Sequence, residues 1–399
     1  MKSIFTLVIS MSLFLSGFPT YADESKMDTT SFPVSLFQEL SRGKREKNLL
    51  VSPFSITCAL GMTGNGASGS TLKAMSKTLG FENASEEQVN QYIRNTSESL
   101  SNLKNTKIEI ANALFSNKNT VFKEKFLNTN KEYFGAGLQA LDFKSPQATK
   151  TINNWVSEKT HGKIPTIVNK IDDLEKLILI NAVYFKGLWK EQFKKTETVE
   201  KPFYLSSNKT ENVKMMNIRK KFNYFDNEDF QTVSLTYKDP GLSLLLFLPA
   251  KESSLEKFEN SITPETWNTW MKSYRFRPGK VGLPRYKIND DMGLTDSLSK
   301  LGMSVAFDKN KANFDRMTKS KKDGLYISKV KHKTFMEVNE EGTEAAAATA
   351  VHMATKSAMM VEKPQVPFEI ILNRPFFFAL RDSRSNTILF MGHVVNPSK

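Results

Sequence analysis

Glu340-Glu341-Gly342-Thr343-Glu344-Ala345-Ala346-Ala347-Ala348-Thr349-Ala350-Val351-His352-Met353-Ala354-Thr355-Lys356-Ser357-Ala358-Met359-Met360-Val361-Glu362-Lys363 decides how this chain is read. The composition is odd for a core segment and odd for a loop. Taken with period two, Thr343, Ala345, Ala347, Thr349, Val351 and Met353 share one face. Glu344, Ala346, Ala348, Ala350, His352 and Ala354 share the other. The first set fits against a core and the second faces water. The segment therefore fits a sheet strand, yet it lacks the large side chains that would hold it there from the start. Small residues let a backbone slide between two existing strands at little steric cost. The pattern predicts a switch: a segment that fits a strand but does not begin as one.

Immediately upstream, Tyr326 to Val338 places Val330, His332, Thr334, Met336 and Val338 on one face, and Lys329, Lys331, Lys333, Phe335 and Glu337 on the other. That alternation predicts a half-buried strand. It feeds straight into the alanine run, with Gly342 between them where a hinge needs backbone freedom.

The decapeptide from Glu340 to Thr349, Glu-Glu-Gly-Thr-Glu-Ala-Ala-Ala-Ala-Thr, resembles the hinge of the reactive-centre loop of inhibitory serpins, whose loop adds itself to a β-sheet. The resemblance continues from about residue 30 to the end. Asn48-Leu-Leu-Val-Ser-Pro-Phe-Ser-Ile is similar to the start of a buried helix in that family, Gly64 to Gly69 to a glycine-rich turn, and Asn373-Arg374-Pro375-Phe376-Phe377-Phe378 with Thr387 to Pro397 to a C-terminal pair of strands. The fold class implied is α+β. It would be a single domain over residues 23–399, with a large central mixed β-sheet, additional sheets, about eight or nine helices and an exposed loop at about 340–366. The resemblance also implies that Ser52, Ser55, Asn181 and His332 form a polar cluster where the sheet parts, and that Trp189 marks the top of the sheet, where insertion begins.

Residue patterns support these placements. Leu177 to Phe185 is apolar on both faces, as expected of a strand central to a covered sheet. Asn181 interrupts it and, if buried, requires hydrogen-bond partners. Ser52-Pro53 predicts a cap followed by proline at the first helical position. Leu294 to Leu301 predicts a helix ending at Gly302. Val213 to Met216, Leu242 to Pro249 and Val281 to Ile288 predict further strands. Gly64-Asn65-Gly66-Ala67-Ser68-Gly69 matches GxGxxG, but it follows a helical pattern and no βαβ unit surrounds it, which excludes a nucleotide site.

The chain has 399 residues, 39% hydrophobic and 25% charged, ordinary globular values. Its single cysteine, Cys58, lies in an apolar run, which favours a buried small hydrophobe over a reactive thiol. Lys2, the apolar run Ile4 to Phe18 and Thr20-Tyr21-Ala22 predict a signal peptide over 1–22 and a secreted product. The formal net charge is +14. Arg219-Lys220-Lys221, Arg275 to Lys280 and Lys319 to Lys322 are basic clusters. They are either solvated surface or a site for a heparin-like polyanion, a sulfated glycosaminoglycan acting as activator. Export and the lack of zinc, helix-turn-helix or RNP motifs argue against nucleic acid. No membrane partner, metal or other cofactor is expected, and the protein is expected to be a monomer.

By the family's habit the scissile bond lies at a fixed count past the hinge glycine, and fourteen residues past Gly342 gives Lys356-Ser357. Lys356 is also the only basic residue between Gly342 and Lys363. A trypsin-like serine protease, which reads lysine through an acidic pocket, is therefore the expected partner, held in a covalent complex. Met353, Met359 and Met360 remain alternative sites for a chymotrypsin- or elastase-like enzyme or for a cysteine protease. Of the four histidines, none accompanies a GxSxG-type nucleophile, so a hydrolase is disfavoured. A non-inhibitory carrier or chaperone would be expected to have bulky or charged residues in the hinge, which this sequence lacks.

Overall fold

The computed structural model describes residues 27–206, 209–319, 324–343 and 366–399. The signal-like segment 1–22 lies outside them. In chain order the longer helices are α1 Ser31–Arg42, α2 Pro53–Gly64, α3 Gly69–Thr78, α4 Glu86–Ser101, α5 Glu124–Phe134, α6 Pro146–Lys159, α7 Leu255–Ser261 and α8 Pro264–Ser273. The short turns α9 Thr295–Leu298 and α10 Ser304–Phe307 flank a π turn at Ser299–Met303. The strands begin with β1 Leu49–Val51, β2 Thr106–Asn117, β3 Gly137–Leu141, β4 Leu177–Leu188 and β5 Val199–Tyr204. They continue with β6 Thr210–Asp226, β7 Phe230–Thr236, β8 Leu242–Pro249, β9 Arg275–Pro284 and β10 Tyr286–Gly293. The last are β11 Ile327–Val338, β12 Gly342–Thr343, β13 Phe368–Ile371, β14 Phe376–Asp382 and β15 Thr387–Val394.

Two sheets organise the α+β fold. One has six strands in the order β10-β11-β12-β4-β2-β3, with β11 also pairing directly with β4. It is mixed: β10–β11 and β4–β2 are antiparallel, whereas β11–β4 and β2–β3 are parallel. The other has nine strands, β1-β15-β14-β8-β7-β6-β9-β13 with β5 on β6. β4 is central and buried along almost its whole length, because Leu177, Leu179, Val183 and Phe185 enter the main core while Ile178, Ile180 and Ala182 enter a second cluster under α6. β11 buries Val330, His332, Thr334, Met336 and Val338, the face its alternation assigned to the core. α2 is buried all round, with polar Ser55 and Thr57 among its apolar residues, so it supports the sheet from inside the core.

Three local readings need correction. Ser52 stands at the N-cap position of α2 with Pro53 following, but its hydroxyl caps nothing; it donates to Leu389 O of β15 at 2.7 Å. The chain does not stop at Gly302. That glycine has φ +115, which only glycine adopts easily, and it kinks the helix, which resumes as α10. β6 runs far past Met216, to Asp226, and Arg219-Lys220-Lys221 forms part of the strand.

Candidate functional site

The site is a fork at the top of the six-stranded sheet. Below it β4 and β11 close on each other in parallel, from Ile327 opposite Leu177 to Phe335 opposite Tyr184. Above, the two strands part and β12 stands between them, Gly342 opposite Leu188 and Thr343 opposite Gly187 on β4, and Thr343 opposite Val338 on β11. A tight turn makes this possible. Asn339 accepts on its side-chain oxygen from the amides of Glu341 at 3.0 Å and Gly342 at 3.3 Å, and its own amide donates to Gly342 O at 2.9 Å.

Glycine at 342 is required here by close approach, and its φ is not positive. A Cβ there would lie 1.9 Å from Gly187 O. Thr343 is fully buried, with its hydroxyl 2.7 Å from the Tyr237 hydroxyl. Burial pushes the Tyr237 phenol far above its ordinary value, so it stays protonated and available for that hydrogen bond. Tyr237 in turn stacks on Trp189 at 4.5 Å between ring centroids.

Trp189 holds the turn from β4's side. Its amide donates to Glu341 O at 3.0 Å and its indole N–H to Asn339 O at 2.9 Å. The Glu340 carboxylate is buried and accepts from Arg285 Nε at 2.9 Å, Arg285 Nη2 at 2.6 Å and Thr198 Oγ1 at 2.6 Å. Burial alone would raise its pKa. The Arg285 and Thr198 hydrogen bonds outweigh that and hold the carboxyl below the usual range. Lys195 Nζ meets Glu341 Oε1 at 2.8 Å.

Under the closed seam lies a polar cluster. Asn181 on β4 faces α2, donating to Ser55 O at 3.0 Å, to the Ser55 hydroxyl and to Asn112 Oδ1 at 2.5 Å. His332 on β11 is opposite Asn181 in register. The Ser52 amide donates to His332 Nε2 at 3.1 Å, which makes that nitrogen the acceptor. Nδ1 therefore carries the proton and donates to Asn181 Oδ1. Burial pushes the imidazole pKa down to about 3, so His332 is neutral and serves as a two-sided link across the seam. The Ser52 hydroxyl donates to a carbonyl and does not contact His332, so the two are not arranged as nucleophile and base.

The structure thus brings Ser52, Ser55, Asn181 and His332 into one network under the seam, and Glu340, Glu341, Gly342, Thr343 and Trp189 into the fork above it. Glu344, Ala345, Ala346, Ala347, Ala348 and Thr349, and the Lys356-Ser357 bond, lie outside the described residues. Sequence reasoning missed Asn112, Tyr237 and Arg285. Asn112 carried a signal, a polar residue inside the apolar run Ile110 to Phe115 of β2. Among the described residues no group of His, Cys, Asp or Glu is placed to hold a metal. Cys58 is buried and its thiol is pushed up to about 12, so it is inert.

A family model described as "Serpin (serine protease inhibitor)" matches residues 27–397. Leukocyte elastase inhibitor A of Mus musculus is 37% identical over 380 residues, 92% of this chain and 98% of that protein. Antithrombin-III of Homo sapiens is 35% identical over 377 residues, 92% of this chain and 80% of that one. Among solved structures, the thermophilic serpin tengpin in its native state superposes with a TM-score of 0.85 at 32% identity, covering 94% of each chain. Human thyroxine-binding globulin complexed with its hormone superposes at 0.83 with 26% identity, covering 93% of this chain and 98% of that one.

Proposed function

The chain belongs to the serpin family of serine protease inhibitors, and from that membership we propose that it is a secreted suicide inhibitor of trypsin-like proteases, cleaved at Lys356-Ser357. The observation that carries the reading is the fork, in which the hinge residues Gly342 and Thr343 already occupy strand positions above a seam that is still closed. Continuing the Thr343–Gly187 register antiparallel along β4 sets Ala345 opposite Phe185, Ala347 opposite Val183, Thr349 opposite Asn181 and Met353 opposite Leu177. On that path the side chains facing α2 and the core would be the small alternate set of the loop.

The protease serine attacks the Lys356 carbonyl, the Ser357 amine leaves, and an acyl-enzyme forms. The freed arm then zips down β4, displacing its direct pairing with β11 and the His332–Asn181 link. From Gly187 to Leu177 is about 33 Å of strand, and the attached protease travels with it. Roughly ten new ladder hydrogen bonds at about 1 kcal/mol each supply on the order of 10 kcal/mol, comparable to the stability of a domain. That is enough to distort a protease active site before hydrolysis.

A second reading is favoured by the relatives named as elastase inhibitors: attack at Met353, Met359 or Met360 by an elastase-like enzyme. Incubation with trypsin and with elastase, followed by a denaturing gel and N-terminal sequencing of the released peptide, separates the two. A trypsin complex with a peptide starting at Ser357 supports the first. A start at Ala354, Met360 or Val361 with elastase supports the second. Cleavage by both enzymes with no complex overturns the inhibitor reading.

A further inference from the structure

His393 is fully buried near the end of β15, and both of its ring nitrogens face oxygen. Nδ1 lies 2.6 Å from Glu259 Oε1 on α7. Nε2 lies 2.9 Å from Lys47 O and 3.3 Å from Lys44 O, in the turn between α1 and β1. A backbone carbonyl cannot donate, so Nε2 needs a hydrogen to bond there. In a neutral ring that leaves Nδ1 as a bare lone pair aimed at a carboxylate oxygen. The other neutral tautomer satisfies Glu259 and sets a bare Nε2 against Lys47 O. Either neutral ring keeps one contact and spoils the other. Both contacts hold only when the pair carries one proton more than a neutral imidazole and a carboxylate do, and that proton lies between Nδ1 and Oε1.

No other charge takes the place of that proton. The Glu259 side chain is buried, and among the described residues the His393 ring is the one group bonded to its carboxylate. Lys44 turns its ammonium to Asp290 of β10, and Arg45 pairs with Glu256 at the start of α7. Glu39 of α1 pairs with Arg42 and Lys300. Glu46, Lys47 and Lys257 are exposed. On β14, Phe377 stands opposite His393, and Arg381 and Asp382 lie at the far end of that strand. From α1, Phe37 meets the imidazole edge-on, with ring centroids 6.1 Å apart. The pinned turn leads straight into β1, where Leu49 stands opposite His393, and on to Ser52, whose amide bonds to His332 under the seam.

We propose that His393 and Glu259 form a proton-dependent clamp. One shared proton ties α7 and the α1–β1 turn to β15, and its loss as the pH rises loosens the strand that feeds the seam. The clamp is independent of the inhibitor reading. In the unfolded chain above about pH 6.5, histidine is neutral and glutamate ionised. The folded pair then holds one proton more than the unfolded chain. Its contribution is therefore complete below about pH 6.5 and declines as the pH rises, by up to about tenfold in the folding equilibrium constant per pH unit.

The test is the urea midpoint of the full chain between about pH 6.5 and 8.5, for the unmodified protein, Glu259→Gln and His393→Lys. A glutamine amide can donate to Nδ1 while Nε2–H still reaches Lys47 O, so Glu259→Gln keeps both contacts with a neutral ring. Lysine keeps a positive charge beside Glu259 throughout this range. The unmodified chain is expected to lose stability towards the alkaline end, and both variants to follow a slope shallower by up to about one proton. Cys58, whose thiol the fold pushes up to about 12, adds a fall of its own near the top of the range. That fall is common to all three proteins, so the difference between them is what is read. A folded variant with the slope of the unmodified chain overturns the proposal, and should one variant fail to fold, the other decides. Amide hydrogen exchange at Leu49 to Ser52, compared at the alkaline end, is expected to be faster in the unmodified chain than in Glu259→Gln. Equal protection there overturns the link to the seam.

Discussion

Thr343→Arg should convert the inhibitor into a substrate. Thr343 is fully buried between β4 and β11, and its hydroxyl bonds to Tyr237. Among the described residues no carboxylate bonds to either side chain. An arginine there would have to bury a guanidinium without a counter-ion, or leave the fork. The cost of an unpaired buried charge is about 3–5 kcal/mol. If the transition state for insertion already seats this residue, even 3 kcal/mol slows insertion by about 100-fold, since each 1.4 kcal/mol is a factor of ten. Hydrolysis of the acyl-enzyme then wins. The assay is the stoichiometry of inhibition against trypsin, with the complex read on a denaturing gel. Thr343→Arg should still be cleaved after Lys356 at a normal rate and give little complex. A stoichiometry equal to that of the unmodified chain would show that strand entry does not begin at the fork, and would refute the reasoning.

Cleavage of the loop in the native protein should move thermal unfolding well upward, because the inserted arm adds on the order of 10 kcal/mol of ladder bonds; an unshifted melting curve after nicking would contradict insertion. Arg285→Ala should destabilise the uncleaved protein by about 1–3 kcal/mol, read as a lower urea midpoint, because the buried Glu340 carboxylate loses its cation and keeps only the Thr198 hydroxyl as a side-chain donor. Acid should weaken the fold through His332. Its folded pKa is pushed down to about 3, below the value near 6.5 of an unfolded histidine, so the unfolded state takes up the proton first. The stabilising contribution is intact above about pH 6.5 and falls by up to about 1.4 kcal/mol per unit as the pH drops towards 3. His332→Gln should flatten that slope between pH 6.5 and 4.5 in urea titrations, and an unchanged slope would place the acid sensitivity elsewhere.

Strands with strong patterns were legible. The apolar run of β4, interrupted by Asn181, and the alternation of β11 gave their place and their inward faces, because burial on two faces or one leaves its own periodicity. The resemblance joined Asn181 and His332 across the sequence, and their side chains meet. What stayed hidden were contacts between distant residues with no pattern of their own. Arg285 follows Pro284 at the junction of β9 and β10 and looks like any surface cation until the fold sets it against Glu340. Tyr237 lies beyond the end of β7, where nothing local announces a partner for Thr343. Ser52 misled for the opposite reason. A serine before a proline has an obvious local use, and the fold spends its hydroxyl on β15 instead.

The closed seam also says something about timing. β4 and β11 are about 150 residues apart in sequence, whereas the alanine arm is tethered to β11 by a three-residue turn already formed at Asn339 to Glu341. Proximity would normally let the neighbour zip up first. Here the neighbour carries methyl groups where β4 carries leucine and isoleucine, and a two-stranded ribbon of that kind is marginal alone in water. The leucine and isoleucine of β4 are expected to collapse early and claim β11, which would leave the alanine-rich sequence to pair later. On that expectation alanine in this arm would act as a delay, losing a race during assembly so that work is left to be released later.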